Sequence, residues 1–220
     1  SQPFGNALQF DGVNDSFSTA SNLSALSITG NITIETWIKF DQVHSDYVRI
    51  IGKGDNLNRT YGLWLGTNGK LLFQIWNSAG SGLNLESITA LQTGVWYHIS
   101  ATRNGNTAKI YINGIEDATT STTVIPNVNT LPLTVGYGNM HTWLKGALDE
   151  VRIWNVARSL SQIQQGMYNA MVGNESGLVA YYDFNQGIAG GDNTAVNSVL
   201  DRTTNVLHGT LTNFAKTGTA

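Results

Sequence analysis

Residues Val95 to Ile112 read VWYHISATRNGNTAKIYI. Apolar and polar side chains alternate along both arms, Val95 to Arg103 and Thr107 to Ile112, with the period of two that marks a strand with one buried face. Between the arms stands Asn104-Gly105, a dipeptide that takes up the positive φ angles of a tight hairpin turn at little cost. Strands joined so closely must run antiparallel. The same signal follows at once at Asn113-Gly114, and Asn68-Gly69 joins Tyr61 to Leu65 (YGLWL) with Lys70 to Trp76 (KLLFQIW). Consecutive hairpins predict antiparallel sheets.

Working outward, Asn31 to Phe40 (NITIETWIKF) sets Ile32, Ile34, Ile38 and Phe40 on one face and Thr33, Glu35, Trp37 and Lys39 on the other. Further strands are expected at Leu8 to Phe10, Ser16 to Thr19, Val48 to Gly52, Leu131 to Tyr137, Ala147 to Trp154 and Leu178 to Phe184. One short helix is expected near Ser159 to Tyr168, where Ser159 and Gln162 have the spacing of a capping box. Ten or more short strands must pair their sheets face to face or close a barrel. The expectation is an all-β fold, a two-sheet antiparallel jelly-roll sandwich with one short helix, formed by residues 1–220 as a single domain. In that sandwich Trp37, Trp64, Trp96 and Trp154 fall in strand patterns and are read as core.

Composition narrows the function classes. The 220 residues are 41% hydrophobic and only 12% charged, about half the usual charged share, so Asn, Ser, Thr and Gly supply most of the polar surface. Twelve basic against fifteen acidic residues give a formal charge of -3, which provides no general phosphate-binding surface and argues against nucleic acid as a partner. The chain has no Cys, so disulfides, Cys-ligated zinc and thiol chemistry are excluded. There is no 18-residue apolar run and no signal-like start. The sequence from Phe214 to Ala220 trails off without a stop in pattern, and the chain is read as a module of a larger exported protein, secreted or on the cell surface and monomeric.

Two acidic segments draw notice. Asp11-Gly12-Val13-Asn14-Asp15 packs three oxygen-bearing side chains around a Gly, which suits either a calcium ligand set or a turn whose Asp and Asn cap their own backbone. In Gly146 to Trp154 (GALDEVRIW), strict alternation places Asp149 on the same face as Val151 and Ile153. A carboxylate on an apolar face needs a cation, an Arg or backbone donors opposite it, and the sequence leaves these alternatives open.

These segments, taken in order, resemble the laminin-G-like modules of the concanavalin A-like lectin/glucanase superfamily. The resemblance rests on Ala7 to Asp15 (ALQFDGVND), Ile32 to Ile38 (ITIETWI), Trp96 to Gly114, Gly146 to Ser159 (GALDEVRIWNVARS) and Gly177 to Phe184 (GLVAYYDF). It departs from the family pattern at Ser16 and Phe17 and at Val156, Ala157 and Arg158. It implies two curved sheets, often a structural calcium, and most often the binding of carbohydrate or protein ligands. On that basis Asp11 and Asp149 are the expected calcium ligands, with Asn14 and Asp15 as further candidates.

Retaining glycoside hydrolases of the superfamily place two carboxylates about 5 Å apart, and no Glu-x-Asp-x-x-Glu run stands here. Glu116-Asp117 and Asp149-Glu150 are adjacent in sequence and point apart. His98 and Tyr111 suit a lyase only in isolation and read as structural. The leading expectation is therefore a non-catalytic carbohydrate-binding module for a polysaccharide or oligosaccharide, attached to other domains of a parent protein. The alternatives are an adhesion or spacer module and, less favoured, a lyase or hydrolase. The ligand site is expected on aromatic residues that the strand patterns do not need: Trp143 with Tyr137, Asn139 and His141, Trp76 with Asn77, and Tyr47 with Arg49. The competing reading makes Trp143 a cover over the open end of the core.

Overall fold

The computed structural model describes residues 3–138 and 142–217. In chain order the strands are β1 (Leu8–Asp11), β2 (Ser16–Thr19), β3 (Ile32–Phe40), β4 (Val48–Lys53) and β5 (Tyr61–Leu65). There follow β6 (Lys70–Trp76), β7 (Gly82–Ala90), β8 (Tyr97–Asn104), β9 (Thr107–Ile112) and β10 (Ile115–Ser121). The chain ends with β11 (Leu133–Val135), β12 (Lys145–Trp154), helix α1 (Leu160–Gly166), β13 (Leu178–Tyr182), β14 (Ser198–Val199) and β15 (Gly209–Thr212).

A seven-stranded sheet runs β1-β12-β3-β8-β9-β10, with β13 also paired to β12, and an eight-stranded sheet runs β14-β15-β2-β11-β4-β5-β6-β7. All named strand pairs are antiparallel. Their facing sides bury one apolar cluster that includes Phe10, Phe17, Ile34, Ile38, Ile51, Leu63, Phe73, Ile110, Val151 and Tyr182. At one side of the sandwich the Asp117 carboxylate of β10 accepts the Ile88 and Thr89 N–H groups of β7, so the edge of the second sheet is tied to the first. The jelly-roll expectation holds, and so does the helix: Ser159 and Gln162 cap α1 reciprocally. Among the described residues no helix is long and apolar enough to cross a membrane.

Several details differ from the sequence reading. Asn104 pairs with Thr107, so the first hairpin turns on Gly105 and Asn106 rather than on Asn104-Gly105. Strand β11 is shorter than Leu131 to Tyr137; β10 is the partner strand implied by the Asn113-Gly114 turn, whereas β7, β14 and β15 lie outside the expected strands. Phe214 packs edge-on against Phe10 at 5.1 Å, so this part of the expected trailing end belongs to the fold.

The largest difference is at Asp149. Leu148 pairs with Ile38 and Asp149 with Trp37, but Arg152 pairs with Glu35, so β12 carries one extra residue there. Glu150 absorbs that bulge at φ 53, in the left-handed region that non-glycine residues enter rarely. The bulge resets the alternation. Asp149 therefore shares the outer face of the seven-stranded sheet with Trp37 and Arg152, opposite to Val151 and Ile153.

That outer face is covered by the segment around α1, which gives the sandwich a third layer. Trp37 donates to the Met167 carbonyl, and the Arg152 guanidinium donates to the Gly166 and Asn169 carbonyls. Beneath the layer lie Glu35, His98, Glu150, Arg152 and Tyr181, all buried. None of Trp37, Trp64, Trp96 and Trp154 lies in the cluster between the sheets. Trp37 and Trp154 are buried on the outer face of this sheet, Trp96 is half-buried beside Lys39, and Trp64 is on the opposite side of the molecule.

Candidate functional site

With one broad face of the sandwich covered by α1, the outer face of the eight-stranded sheet is the open one. Alternation in YGLWL sends Leu63 and Leu65 into the core and leaves Gly62 and Trp64 outside. In register across the sheet, Arg49, Trp64, Leu72 and Glu86 form one row. The neighbouring row is Thr134, Gly52, Gly62, Gln74 and Asn84.

The two glycines let large side chains lie flat. A Cβ at Gly62 would stand 2.7 Å from the Trp64 indole nitrogen, and one at Gly52 would stand 3.0 Å from the Arg49 side chain. The Trp64 ring is held by two cations, with the Arg49 and Arg59 guanidinium carbons each 4.8 Å from its centroid. Arg49 is fixed in turn by the Gly54 carbonyl, Asp55 and Thr134. Arg59 donates to Gln74 Oε1 at 2.6 Å, and Asn84 Oδ1 accepts from both Gln74 and Trp76.

Above this floor lies an open groove of about 470 Å³ lined by Tyr47, Arg59, Trp64, Leu72, Gln74, Asn84 and Glu86. That volume is within the range of small-ligand sites. Its lining combines the half-buried Tyr47 ring with amide, guanidinium and carboxylate groups, chemistry that can hold a sugar by ring contact and hydroxyl hydrogen bonds, while Trp64, only 2% exposed, supports the guanidinium groups packed on it. A separate apolar cleft between Asn6 to Leu8 and Phe214 to Lys216 offers only about 70 Å³.

The residues expected from sequence are distributed as follows. Tyr47 lines the groove and is half-buried. Arg49 is a buried part of its floor rather than an exposed contact. Trp76 lies flat over Gly82 and adjoins the groove through Asn84, but Asn77 faces a different depression, where it organises its own turn through Ala79 and Ser81. Trp143 stacks on Tyr137 at 3.9 Å and 15°. The pair adjoins the groove, because Thr142 bridges to Val48 and a Cβ on Gly138 would meet both Arg49 and Trp64. Asn139 and His141 lie outside the described residues. Sequence reading missed Arg59, Gln74, Asn84 and Glu86, and assigned Trp64 to the core. The available signal was the pairing of Gly62 and Trp64 on the face that the leucines do not use.

The expected metal ligands do not assemble. Asp11 opposes Lys145, four residues before Asp149 and about 13 Å away along β12, so one ion cannot touch both. Asp11 accepts the N–H groups of Val13 and Asn14, and Asp15 accepts that of Asp11, which is the turn alternative. Asn14 is exposed and uses its carbonyl on Asn213. Burial, reinforced by the Asp11 charge, raises the Asp15 pKa to about 6. Among the described residues no three His, Asp or Glu side chains converge on a common point suited to a metal.

A laminin G family model of the concanavalin A-like lectin/glucanases superfamily matches residues 11–164. The chain belongs to this superfamily. No curated protein sequence matches it significantly. Among solved structures, a carbohydrate-binding protein assigned as such from Bacteroides ovatus is 23% identical with a TM-score of 0.72; the match covers all of this chain and 62% of that one. The chain thus spans less than two thirds of that protein. Domain 4 of the extracellular arabinanase AbnA from Geobacillus stearothermophilus, solved with arabinotriose, is 20% identical with a TM-score of 0.60, over 74% of this chain and 77% of that one. A Trypanosoma rangeli sialidase is 14% identical with a TM-score of 0.54, over 77% of this chain and 29% of that one. At these identities the likeness establishes the sandwich.

Proposed function

We propose that this superfamily member is a non-catalytic carbohydrate-binding module of an extracellular protein, with its glycan in the groove over Trp64. The observation that carries this reading is the groove itself: the half-buried Tyr47 ring with amide, guanidinium and carboxylate groups above the buried Trp64, on the sheet face that α1 leaves open. The Bacteroides protein and the arabinotriose-bound arabinanase domain, which share the sandwich, support a sugar as the ligand class.

A non-catalytic role is supported by the state of the acidic pairs. Asp149 and Glu150 are buried beneath the α1 layer, Glu116 pairs with Lys109, and Asp117 is taken up by backbone donors. His98 and Tyr111 are buried too, and burial lowers the His98 pKa to about 4. None of these groups lines the groove.

The test is a glycan panel read against Tyr47→Ala and Asn84→Ala. Both side chains are at least partly exposed, so each variant should weaken glycan binding by about 1–2 kcal/mol and leave Tm nearly unchanged. Wild-type affinity in both variants would move the site elsewhere, and no binding to any glycan would favour the adhesion or spacer reading. Because the expected calcium ligands are apart, EDTA should change neither Tm nor glycan affinity. A lowered Tm in EDTA that calcium restores would bring back a structural metal.

A further inference from the structure

Charge in the groove is paired except at one residue. Arg49 bonds Asp55 at 2.9 Å, and Glu86 has Lys70 at 3.4 Å. Arg59 has no ion pair among the described residues; its charge is adjacent to Arg49 and reached by Asp55 only at a distance. It is 9% exposed, its Nη1 donates to Gln74, and its Nε is buried without an acceptor, which leaves Nη2 as the nitrogen open to a ligand. A guanidinium taken so far out of water without a counter-charge is costly unless an anion completes it.

We infer that the groove takes an acidic glycan, one whose ring bears a carboxylate, and that Arg59 is the residue that receives that carboxylate. This deepens the carbohydrate reading and rests on it. The guanidinium can give a carboxylate a charge-assisted hydrogen bond through Nη2, and the Trp64 ring lies against it at 4.8 Å. Desolvation and, next, the Arg49 charge lower the Arg59 pKa to about 10, so the side chain remains a cation at neutral pH. The neutral neighbours Gln74, Asn84 and Tyr47 are then left for hydroxyl groups. Uronates and sialates share the required chemistry.

The experiment compares each acidic polymer with its own carboxyl-reduced form: polygalacturonate and alginate for uronates, polysialic acid for sialates. The wild-type protein should bind at least one acid form 10-fold or more tightly than the reduced form, with the preference shrinking as salt rises from about 20 to about 200 mM, a range over which the Debye length falls about threefold. The polymer that shows it identifies the source of the carboxylate. In Arg59→Gln the acid-to-reduced affinity ratio should fall toward one, and Arg59→Lys should recover part of it. Equal binding of acid and reduced forms by the wild-type protein overturns this inference and leaves the carbohydrate reading standing. Binding to no glycan, neutral or acidic, overturns both. The wild-type comparison needs no variant, so it decides even if Arg59→Gln does not fold.

Discussion

Replacing Glu35 with alanine is expected to destabilise the protein by about 3–5 kcal/mol and to lower Tm by roughly 10 °C, with glycan affinity unchanged. Glu35 is fully buried on the outer face of β3. Its Oε1 accepts from Arg158 Nη1 at 2.6 Å and from Trp154 Nε1 at 2.9 Å, and Arg152 Nη1 stands 3.8 Å away. With Glu150, which bonds Arg152 and the Tyr181 hydroxyl, the cluster has two cations and two carboxylates under one lid. Removing one carboxylate leaves a net positive charge in a site that water does not reach, and that uncompensated charge is the main cost.

The loss should be concentrated in the α1 layer. Arg158 holds the Gln162 carbonyl while its guanidinium packs on Trp154 at 4.3 Å, and Arg152 holds the Gly166 and Asn169 carbonyls. Urea unfolding gives the energy, and hydrogen exchange in residues 160–169 locates it. A loss below about 1 kcal/mol would mean that the two arginines find other partners or water, and that the cluster contributes little to holding the layer.

The sandwich was legible because its signals are local. Alternation in β3, β8 and β9 and the Asn-Gly turns depend only on neighbours in sequence, and the capping box of α1 does too. The edge strands were harder. In β7 the alternation runs only through Leu83 and Leu85, because the third inward place is Ser87 and the next apolar residue, Ile88, points outward, and β15 is only Gly209–Thr212, paired with a strand near the other end of the chain.

Sidedness was the larger failure. Period-two reading supplies two faces but does not say which one a third layer will cover, so buried tryptophans were assigned to the core when they sit outside it. A single inserted residue was enough to misplace Asp149, since every side chain beyond a bulge changes face relative to strict alternation. The groove was half legible for a related reason. Tyr47 and the Trp76 and Trp143 segments were found as aromatics near turns, whereas Arg59, Gln74 and Asn84 reach it from three separate chain segments. Only the strand register brings them together.

Asp149→Asn is expected to stabilise the protein at pH 7.5 by about 2–4 kcal/mol and to have little effect near pH 4. The Asp149 side chain is fully buried; Oδ1 accepts the Glu150 N–H at 2.8 Å and Oδ2 has no partner. Burial first, and the Glu150 charge next, raise its pKa to about 8 from an ordinary 3.8. Between these values the folded state binds a proton that the unfolded state has lost. The stability this group contributes is therefore complete below pH 4 and is lost as pH rises toward 8. Each pH unit costs at most about 1.4 kcal/mol, a ceiling of roughly 4 kcal/mol by neutrality. Asp15, raised to about 6, acts in the same direction over pH 4 to 6. Asparagine keeps the acceptor for the Glu150 N–H and never ionises, so it removes the Asp149 share of this dependence and leaves the Asp15 share. The measurement is the difference in unfolding free energy between variant and wild type at each pH, which cancels the titrating groups that do not interact with Asp149. A difference that grows steadily from pH 4 to 8 confirms the sign. A variant less stable than wild type across the whole range would show that the Asp149 carboxylate is held ionised by a partner worth more than its desolvation.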